Sequence, residues 1–180
     1  MKVLVTGSSG YLGSQVVAAL ARRVDIATVA LDVREPAQRL PGVAYEVADI
    51  RSPEVDAIVA RHRPQVVVHL ASIVTPGKDS NREFEYSVDV GGTRNLLEAC
   101  LSHHVQRVIV SSSGAAYGYH ADNPQWLGES DPLRGNQSFA YSWHKRLVEE
   151  MLADYRVSQP QLQQVVFRIG TILGATVHNQ

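Results

Sequence analysis

The stretch TGSSGYLG, residues 6–13, decides the fold of this 180-residue chain. An apolar run, KVLV at residues 2–5, precedes it, and residues with helical spacing follow it. Gly10 lets the backbone approach a ligand closely, and Gly13 lets the following helix pack on the sheet. The free amides at the start of that helix would face a pyrophosphate. An ordinary glycine-rich turn has the same composition, so the neighbouring sequence decides between the two interpretations.

An acidic residue at the end of the next strand favours the phosphate-binding interpretation. Asp32 lies 19 residues after Gly13, near the place where a ribose-binding acid belongs in a dinucleotide site. A carboxylate accepts hydrogen bonds from both hydroxyls of the adenosine ribose but repels a 2′-phosphate, which favours NAD over NADP. Arg34 leaves an alternative open, because its guanidinium could pair with that phosphate or merely neutralise Asp32 or Glu35.

Short β-branched runs alternate with amphipathic stretches along the chain. The predicted strands are 3–5, 26–31, 43–47, 66–70, 108–110 and 165–169, and the predicted helices are 16–21, 55–60, 84–101 and 141–152. The runs VVVHL and RVIV are apolar on successive residues, as is typical of strands covered on both faces. The pattern predicts an α/β fold with a doubly wound parallel sheet in three α/β/α layers.

Composition excludes several classes of protein. The length suits one domain, and a formal net charge of -1 gives no basic footprint for nucleic acid. Cys100 is the single cysteine, so neither a disulfide framework nor a cysteine zinc site is expected. No apolar run reaches the roughly 18 residues that span a bilayer. We therefore expect a cytoplasmic protein that binds no metal, membrane or nucleic acid.

A second informative stretch is AYSWHK, residues 140–145. Tyr141 and Lys145 are four residues apart on a predicted helix and so share a face. An ammonium beside a phenol favours the phenolate and lowers its pKa, which suits a general acid or base. Three serines, residues 111–113, follow a buried strand, and ligands of open α/β sheets bind outside the carboxyl ends of the strands. A serine hydroxyl there can hold a substrate oxygen while Tyr141 exchanges its proton.

These motifs together resemble the extended short-chain dehydrogenase/reductase family, which groups NAD-dependent epimerases and dehydratases. TGxxGxxG matches residues 6–13, YxxxK matches residues 141–145, and the serine site matches SSSGAAYG at residues 111–118. The resemblance covers essentially the whole chain and implies a Rossmann-type fold. It implies that Tyr141 is the general acid/base and that Lys145 binds the nicotinamide ribose and lowers the tyrosine pKa. Ser113, with Ser112 nearby, would orient the reacting hydroxyl or carbonyl.

The resemblance also implies a set of residues along the cofactor. Asp49 and Ile50 would lie at the adenine, and the segment LAS, residues 70–72, would follow the cofactor. The predicted cofactor-binding residues are Gly7, Ser9, Gly10, Tyr11, Leu12, Gly13, Asp32, Val33, Arg34, Asp49, Ile50, Leu70, Ala71, Ser72, Asp89, Ser111, Ser112, Tyr141, Lys145, Ile169, Gly170 and Thr171.

Several departures from the family pattern limit what carries over. DVGGT, residues 89–93, puts Asp89 where the family has a structural and proton-relay asparagine. Gly91 and Gly92 each cost about 1 kcal/mol of helix propensity relative to alanine, so close helix packing is the expected reason for both. Thr171 stands where many nucleotide-sugar enzymes have an asparagine, which weakens that substrate class. The pair at residues 114–115, glycine and alanine, cannot supply the acids of the family's dehydratases.

Three functions follow as alternatives. The favoured one is an enzyme in which NAD takes a hydride from a secondary alcohol carbon, in a sugar or sugar nucleotide, while Tyr141 takes the hydroxyl proton. Return of the hydride to the opposite face would make it an epimerase. The second alternative is a dehydrogenase or reductase of a substrate without a nucleotide, and the third is a non-catalytic dinucleotide sensor. A small-molecule substrate and a homodimer are the expected partners.

The extent of the chain gives a further expectation. We expect residues 1–180 to be one NAD(P)-binding domain, the amino-terminal part of a longer enzyme, with the substrate subdomain largely missing. An uncovered sheet edge or helix face would then favour self-association. The loop 120–137, rich in Gly, Pro, Asn and Asp, either covers substrate or is a surface excursion.

Overall fold

The computed structural model of the chain describes residues 1–78, 80–174 and 177. Six strands form one parallel sheet in the order β3-β2-β1-β4-β5-β6. Their bounds are β1 Lys2–Thr6, β2 Ala27–Asp32, β3 Val43–Val47, β4 Val66–His69, β5 Arg107–Ser113 and β6 Gln163–Ile169. All six predicted strands are confirmed, with ends displaced by up to three residues, because apolar runs of this kind define strand interiors better than strand ends.

Helical segments connect the strands. The α-helices are α1 Tyr11–Ala21, α2 Glu54–His62, α3 Arg82–Tyr86, α4 Thr93–Ser102 and α5 Ala140–Ser158. A π-helical segment, Ser87–Gly92, joins α3 to α4, and a 3₁₀ turn, Gly114–Tyr117, follows β5. The single predicted helix 84–101 therefore lies within one continuous helical stretch, which changes from α to π and back to α.

The helices cover both faces of the sheet unevenly. On one face, α2, α4 and α5 pack over the central strands around Leu4, Val67 and Val108, which are fully buried. On the other face, α1 packs through Val17 against Val3 and Val5. The three-layer prediction is confirmed. On the α1 face, β6 is less covered, since Phe167 is 55% exposed.

Strand register places the chemistry at one edge. In parallel register, Thr6 lies opposite Leu31 on β2 and opposite His69 on β4. Ser113 ends β5 and lies opposite Ile169. Since all six strands run the same way, their carboxyl ends form a single edge, and β1 lies between strands reached by crossovers in opposite directions. This is the switch point at which doubly wound sheets bind ligands.

The two adjacent glycines of the π-helical segment have different surroundings. A Cβ added at Gly92 would lie 2.4 Å from Cγ2 of the buried Ile50, whereas one added at Gly91 would meet nothing within 4 Å. Close packing is therefore confirmed as the reason for Gly92 and is wrong for Gly91, whose α-carbon faces open space.

Candidate active site

The glycine-rich turn packs tightly against the end of β4. Gly7 has φ +68°, in the left-handed region that favours glycine, and a Cβ there would lie 2.6 Å from the backbone nitrogen of Ala71. A Cβ at Gly13 would lie 2.0 Å from the Gly7 carbonyl oxygen. Gly13 is thus required for contact between α1 and the turn itself, rather than for contact with the sheet as predicted. The Gly10 amide donates to the Gly7 carbonyl at 3.1 Å and closes the turn.

Asp32 is fixed by backbone amides of the neighbouring segments. The Ser9 N–H donates to Asp32 Oδ2 at 2.9 Å, and the Arg34 N–H donates to Oδ1 at 3.0 Å. The Arg34 guanidinium lies 3.7 Å from Oδ1, and its side chain is 70% exposed. Each carboxylate oxygen can accept more than one hydrogen bond, so Asp32 keeps acceptor capacity for hydroxyl groups. The Arg34 guanidinium offsets part of the Asp32 charge. This arrangement agrees with the interpretation in which Arg34 neutralises Asp32.

A large cavity opens at the carboxyl ends of β1, β2 and β4. Its volume is about 820 Å³, within the range of pockets that hold small molecules. Ten predicted cofactor residues line it: Gly7, Gly10, Asp32, Val33, Arg34, Asp49, Ile50, Leu70, Ala71 and Ser72. No residue of the loop 120–137 lines this cavity. The role of that loop as a substrate cover stays a prediction.

The adenine end that the resemblance predicts has an additional aromatic wall. Asp49 forms an ion pair with Arg51 at 2.5 Å, which lowers the pKa of the Asp49 carboxyl. The Arg51 guanidinium also lies 4.8 Å from the centre of the Phe84 ring, and Phe84 lines the cavity. Sequence reasoning missed Phe84, because its position in a helical pattern is equally typical of a packing residue.

The predicted catalytic side chains converge beside this cavity. Lys145 is buried and its Nζ donates to the Ser111 carbonyl at 2.9 Å. The same Nζ lies over the Tyr141 ring, 5.4 Å from its centre. Ser113 accepts a hydrogen bond from the Ala115 N–H at 3.1 Å, which fixes the hydroxyl at the start of the 3₁₀ turn.

A small cavity lies between Lys145 and the loop after β4. Its volume is about 10 Å³, and Ser111 and Lys145 line it together with Ala71 and Ser72. Ala71 and Ser72 also line the large cavity, so the loop after β4 is the shared wall of both. A volume of this size is on the order of one water molecule.

The pKa shifts in this group have burial as their main cause. Burial raises the pKa of Tyr141, and hydrogen bonding with Ser113 opposes that rise. The predicted direction was wrong, because burial outweighs the hydrogen bond with Ser113 and the charges of Asp89 and Tyr119 add to the rise. Burial also lowers the pKa of Lys145, and the charges of Asp89 and Glu149 oppose that change.

Asp89 links two parts of the site. Its Oδ1 accepts from the Ser72 hydroxyl at 3.0 Å and from the Ile73 N–H at 2.9 Å. Its Oδ2 is bonded to Nδ1 of His144 at 3.0 Å. Asp89 and His144 are both buried. The residue predicted as a cofactor contact therefore holds the loop after β4 and the helix α5, and it does not line the large cavity.

Ser112 belongs to a different buried network. Its hydroxyl donates to Glu149, and the Arg168 guanidinium is bonded to Glu149 Oε2 through two nitrogens, at 2.9 and 2.8 Å. Arg168 also donates to the Tyr117 hydroxyl at 2.6 Å. This network connects α5 to β5, β6 and the 3₁₀ turn. Ser112 therefore helps to fix these elements relative to one another and does not line the large cavity. Charged residues within apolar elements were the only signal for it in the sequence.

Several predicted residues do not line the large cavity. The Ser9 hydroxyl donates to the Arg34 carbonyl at 3.1 Å, and the Tyr11 hydroxyl lies against Gly174. The residues that do not line the large cavity are Ser9, Tyr11, Leu12, Gly13, Asp89, Ser111, Ser112, Ser113, Tyr141, Lys145, Ile169, Gly170 and Thr171. Gly170 and Thr171 are exposed. Their contact with a cofactor stays a prediction.

His69 is a site residue that sequence reasoning missed. Its Nδ1 is 2.7 Å from Thr6 Oγ1 and its Nε2 is 2.9 Å from Thr93 Oγ1. Thr93 donates its own proton to the Asp89 carbonyl, so it accepts from Nε2 and leaves Nδ1 as the acceptor. Burial, with the charge of Lys145, lowers the pKa of His69 to about 3. A histidine at the end of an apolar strand was the available signal.

The described part of the chain offers neither a metal centre nor a membrane span. Among its residues, no group of three or more His, Cys, Asp or Glu side chains is arranged to hold a metal ion. Likewise, none of the helices described is long and apolar enough to cross a membrane.

The sheet order, the glycine-rich turn, the acid at the end of β2 and the adjoining cavity define a dinucleotide-binding protein of the Rossmann type. Comparison with known families identifies it further. The chain belongs to the NAD dependent epimerase/dehydratase family, whose model matches residues 3–180.

Individual relatives agree with that assignment. The UDP-glucose 4-epimerase of Yersinia pestis is 36% identical over 188 residues, which cover 97% of this chain and 54% of the relative. The L-arabinose 1-dehydrogenase (NAD(P)(+)) of Haloferax volcanii is 29% identical over 186 residues, which cover 97% of this chain and 68% of the relative. The structure of Thermus thermophilus UDP-glucose 4-epimerase in complex with NAD superimposes with a TM-score of 0.79 at 31% identity. The superposition covers 93% of this chain and 54% of the epimerase. The chain spans about half the length of these epimerases.

Proposed function

We propose that the chain binds NAD in the 820 Å³ cavity at the carboxyl ends of β1, β2 and β4. The residues present fit a dinucleotide. Gly7 and Gly10 leave backbone without side chains at the start of α1, where amides and the helix dipole favour phosphate. Asp32 keeps acceptor capacity for ribose hydroxyls. When bound, NAD supplies a reversible acceptor for a hydride from a secondary alcohol.

The cofactor is proposed to be NAD in preference to NADP. The Asp32 side chain is 8% exposed and held by two backbone amides, so it cannot swing away from an incoming 2′-phosphate. Arg34 is exposed enough to meet such a phosphate, but it lies beside the carboxylate that repels the phosphate. Titration of the chain with both dinucleotides should show tighter binding of NAD, and Asp32→Ala should narrow the difference. Equal affinities in the unmodified chain would point to Arg34 as a phosphate ligand.

The reaction proposed is transfer of a hydride and a proton at one substrate carbon and its oxygen. The observation that carries it is the contact of Tyr141 with both Ser113 and Lys145, since Lys145 lines the small cavity together with the loop that walls the cofactor cavity. Burial raises the pKa of Tyr141 and so favours the protonated phenol, which can donate to a substrate carbonyl and recover the proton in the reverse direction. Ser113 is positioned by the 3₁₀ turn to hold the same substrate oxygen.

A sugar nucleotide is the proposed substrate, and epimerisation is the proposed net reaction. The support is the likeness to UDP-glucose 4-epimerases over nearly the whole of this chain. Because the chain spans about half of their length, the activity proposed is that of the whole protein. The partners proposed for it are a small-molecule substrate and a second copy of itself, and the location proposed is the cytoplasm.

A sugar dehydrogenase is the second candidate. The match with L-arabinose 1-dehydrogenase of Haloferax volcanii covers 97% of this chain and 68% of the dehydrogenase. Thr171, at the place where the sequence departs from the nucleotide-sugar pattern, favours a substrate without a nucleotide. The two candidates differ in outcome, since a dehydrogenase accumulates NADH and an epimerase regenerates NAD within each turnover.

The decisive experiment compares Tyr141→Phe with Tyr155→Phe, a control on the same helix. The chain and both variants are titrated with NAD, and the whole protein with the same substitutions is assayed with UDP-glucose for its C4 epimer and with L-arabinose for NADH. We expect Tyr141→Phe to lose turnover, by on the order of 100-fold or more, and to keep NAD affinity, because only the proton donor is removed. Retained turnover would remove Tyr141 from the mechanism. Tight NAD binding by a whole protein with no activity on either class of substrate would favour the sensor.

A further inference from the structure

One carboxylate joins the wall of the cofactor cavity to the helix that carries the predicted catalytic pair. Asp89 Oδ1 accepts from Ser72 and from the Ile73 amide, and both of these residues line the large cavity. Asp89 Oδ2 is bonded to His144, which precedes Lys145 on α5. The loop after β4 and the start of α5 are distant in sequence and meet through this side chain.

The histidine in this link has a defined hydrogen-bonding role. A carboxylate only accepts, so His144 Nδ1 carries the hydrogen and donates it. The residue is 2% exposed, and its ring stands edge-on to that of Tyr86, with ring centres 5.8 Å apart. Lys145 lines the small cavity together with Ser72 and Asp89, so a shift of α5 relative to the loop changes the shape of that cavity.

We propose that His144 is a positioning residue for the cofactor. Through its hydrogen bond to Asp89, it sets the position of Lys145 on α5 relative to the Ser72 wall of the cavity, and so sets the affinity for NAD. His144 does not touch the large cavity itself. The proposal rests on NAD binding in that cavity, as proposed above.

Two substitutions separate the hydrogen bond from the packing of the ring. His144→Phe keeps the ring against Tyr86 and removes the donor. His144→Asn loses the ring, but its amide nitrogen can replace Nδ1 as the donor to Asp89. We expect His144→Phe to weaken NAD binding on the order of tenfold and His144→Asn to stay within about threefold of the unmodified chain, each measured on fully folded protein.

A double-mutant cycle tests whether the effect passes through Asp89. Ser72 and His144 both bond to the Asp89 carboxylate, so Ser72→Ala should cost less NAD affinity in the His144→Phe background than in the unmodified chain. Ser142 gives a matched control, since it is buried on α5 and bonds to the Ala115 carbonyl instead. Ser72→Ala and Ser142→Ala should be additive.

The outcomes distinguish this proposal from the proposed function. If the unmodified chain does not bind NAD, both fall. If it binds NAD and His144→Phe binds equally well, or if Phe is tolerated and Asn is not, His144 acts only through packing and this proposal is overturned. Should His144→Phe not fold, the double variant Asp89→Asn with His144→Phe removes the buried charge together with the donor, and the same loss of affinity is expected. Normal NAD affinity in that double variant would equally overturn the proposal.

Discussion

At the residue scale, His69 shows how the ends of the strands are held together. It bonds to Thr6 at the end of β1 and to Thr93 at the start of α4, each through one ring nitrogen. Thr6 Oγ1 also accepts from the Leu70 amide at 3.3 Å, so the same chain of bonds reaches the cavity wall. A neutral imidazole gives each group in this series of hydrogen bonds a partner. A proton added to Nδ1 would have to displace the Thr6 hydroxyl hydrogen.

This arrangement predicts a loss of stability in acid. The folded-state pKa of His69, about 3, lies below its ordinary 6.5. Between those values the unfolded chain binds the proton and the folded protein does not, so the free energy of unfolding falls as the pH falls from 6.5 toward 3. The contribution of His69 between about pH 6.5 and about pH 4 is on the order of 3 kcal/mol.

Urea unfolding of the chain and of His69→Gln at several pH values measures that contribution. The variant should be less stable near neutral pH, because Thr6 loses its partner, and should lose less stability on acidification. Carboxyl groups with lowered pKa, such as Asp49, titrate in both proteins and cancel in the comparison. Parallel pH dependence of the two proteins would mean that His69 does not stay neutral in the folded state.

At the element scale, the interruption of the helix between α3 and α4 shows the limit of sequence reasoning. Apolar periodicity predicted residues 84–101 as helix, and the residues are helical. The π-helical turn at Ser87–Gly92 was not predictable, because the extra residue in the turn is compensated by contacts from other elements, such as Ile50 against Gly92. Local spacing specifies that a helix forms, and tertiary contacts decide how it winds.

The same distinction applies to the candidate site. The spacing of Tyr141 and Lys145 placed both on one face of α5, and the glycine pattern with Asp32 located the cavity. The direction of the Tyr141 pKa shift was predicted wrongly, since it depends mainly on burial, which the spacing of the motif does not reveal. His144 lies inside the motif that was recognised, yet its partner Asp89 is 55 residues away in sequence. Motifs therefore pointed to the candidate reacting groups and missed the groups that we propose position them.

Replacement of each of the two adjacent glycines by alanine should change the stability of the protein in opposite directions. Gly91→Ala should stabilise the protein by about 0.5–1 kcal/mol, because the methyl group meets no neighbour and alanine reduces the entropy of the unfolded chain. Gly92→Ala should destabilise it by about 1–3 kcal/mol, since the methyl group would overlap the buried Ile50 side chain. Chemical unfolding of the two variants side by side measures both effects. A loss of stability in Gly91→Ala would indicate that the π-helical turn itself requires glycine there.

At the scale of the whole molecule, the strand order determines which end of the sheet binds the cofactor. The chain folds outward from β1 in both directions, so the crossovers diverge and leave a crevice above the carboxyl ends of β1 and β4. A second, more open cavity of about 450 Å³ lies at the opposite end, lined by residues 1–2, 24–27 and 65. It is formed by strand beginnings and lacks both the glycine-rich turn and the helix start that favour phosphate.

Hydrogen exchange in the presence and absence of NAD tests this choice between the two ends. Amides of the turn after β1, of residues 32–34 and of residues 70–73 surround the large cavity, so bound NAD should slow their exchange by on the order of tenfold or more. Amides of residues 24–27 and 65 line the other cavity and should exchange at rates that change only with global stability. NADP at equal concentration serves as the control and should protect the same amides less, because Asp32 disfavours its additional phosphate. Protection confined to residues 24–27 and 65 would place the ligand at the wrong end of the sheet and would overturn the assignment of the site, whereas protection at the carboxyl edge that disappears in Asp32→Ala would identify the ribose as the group that Asp32 holds.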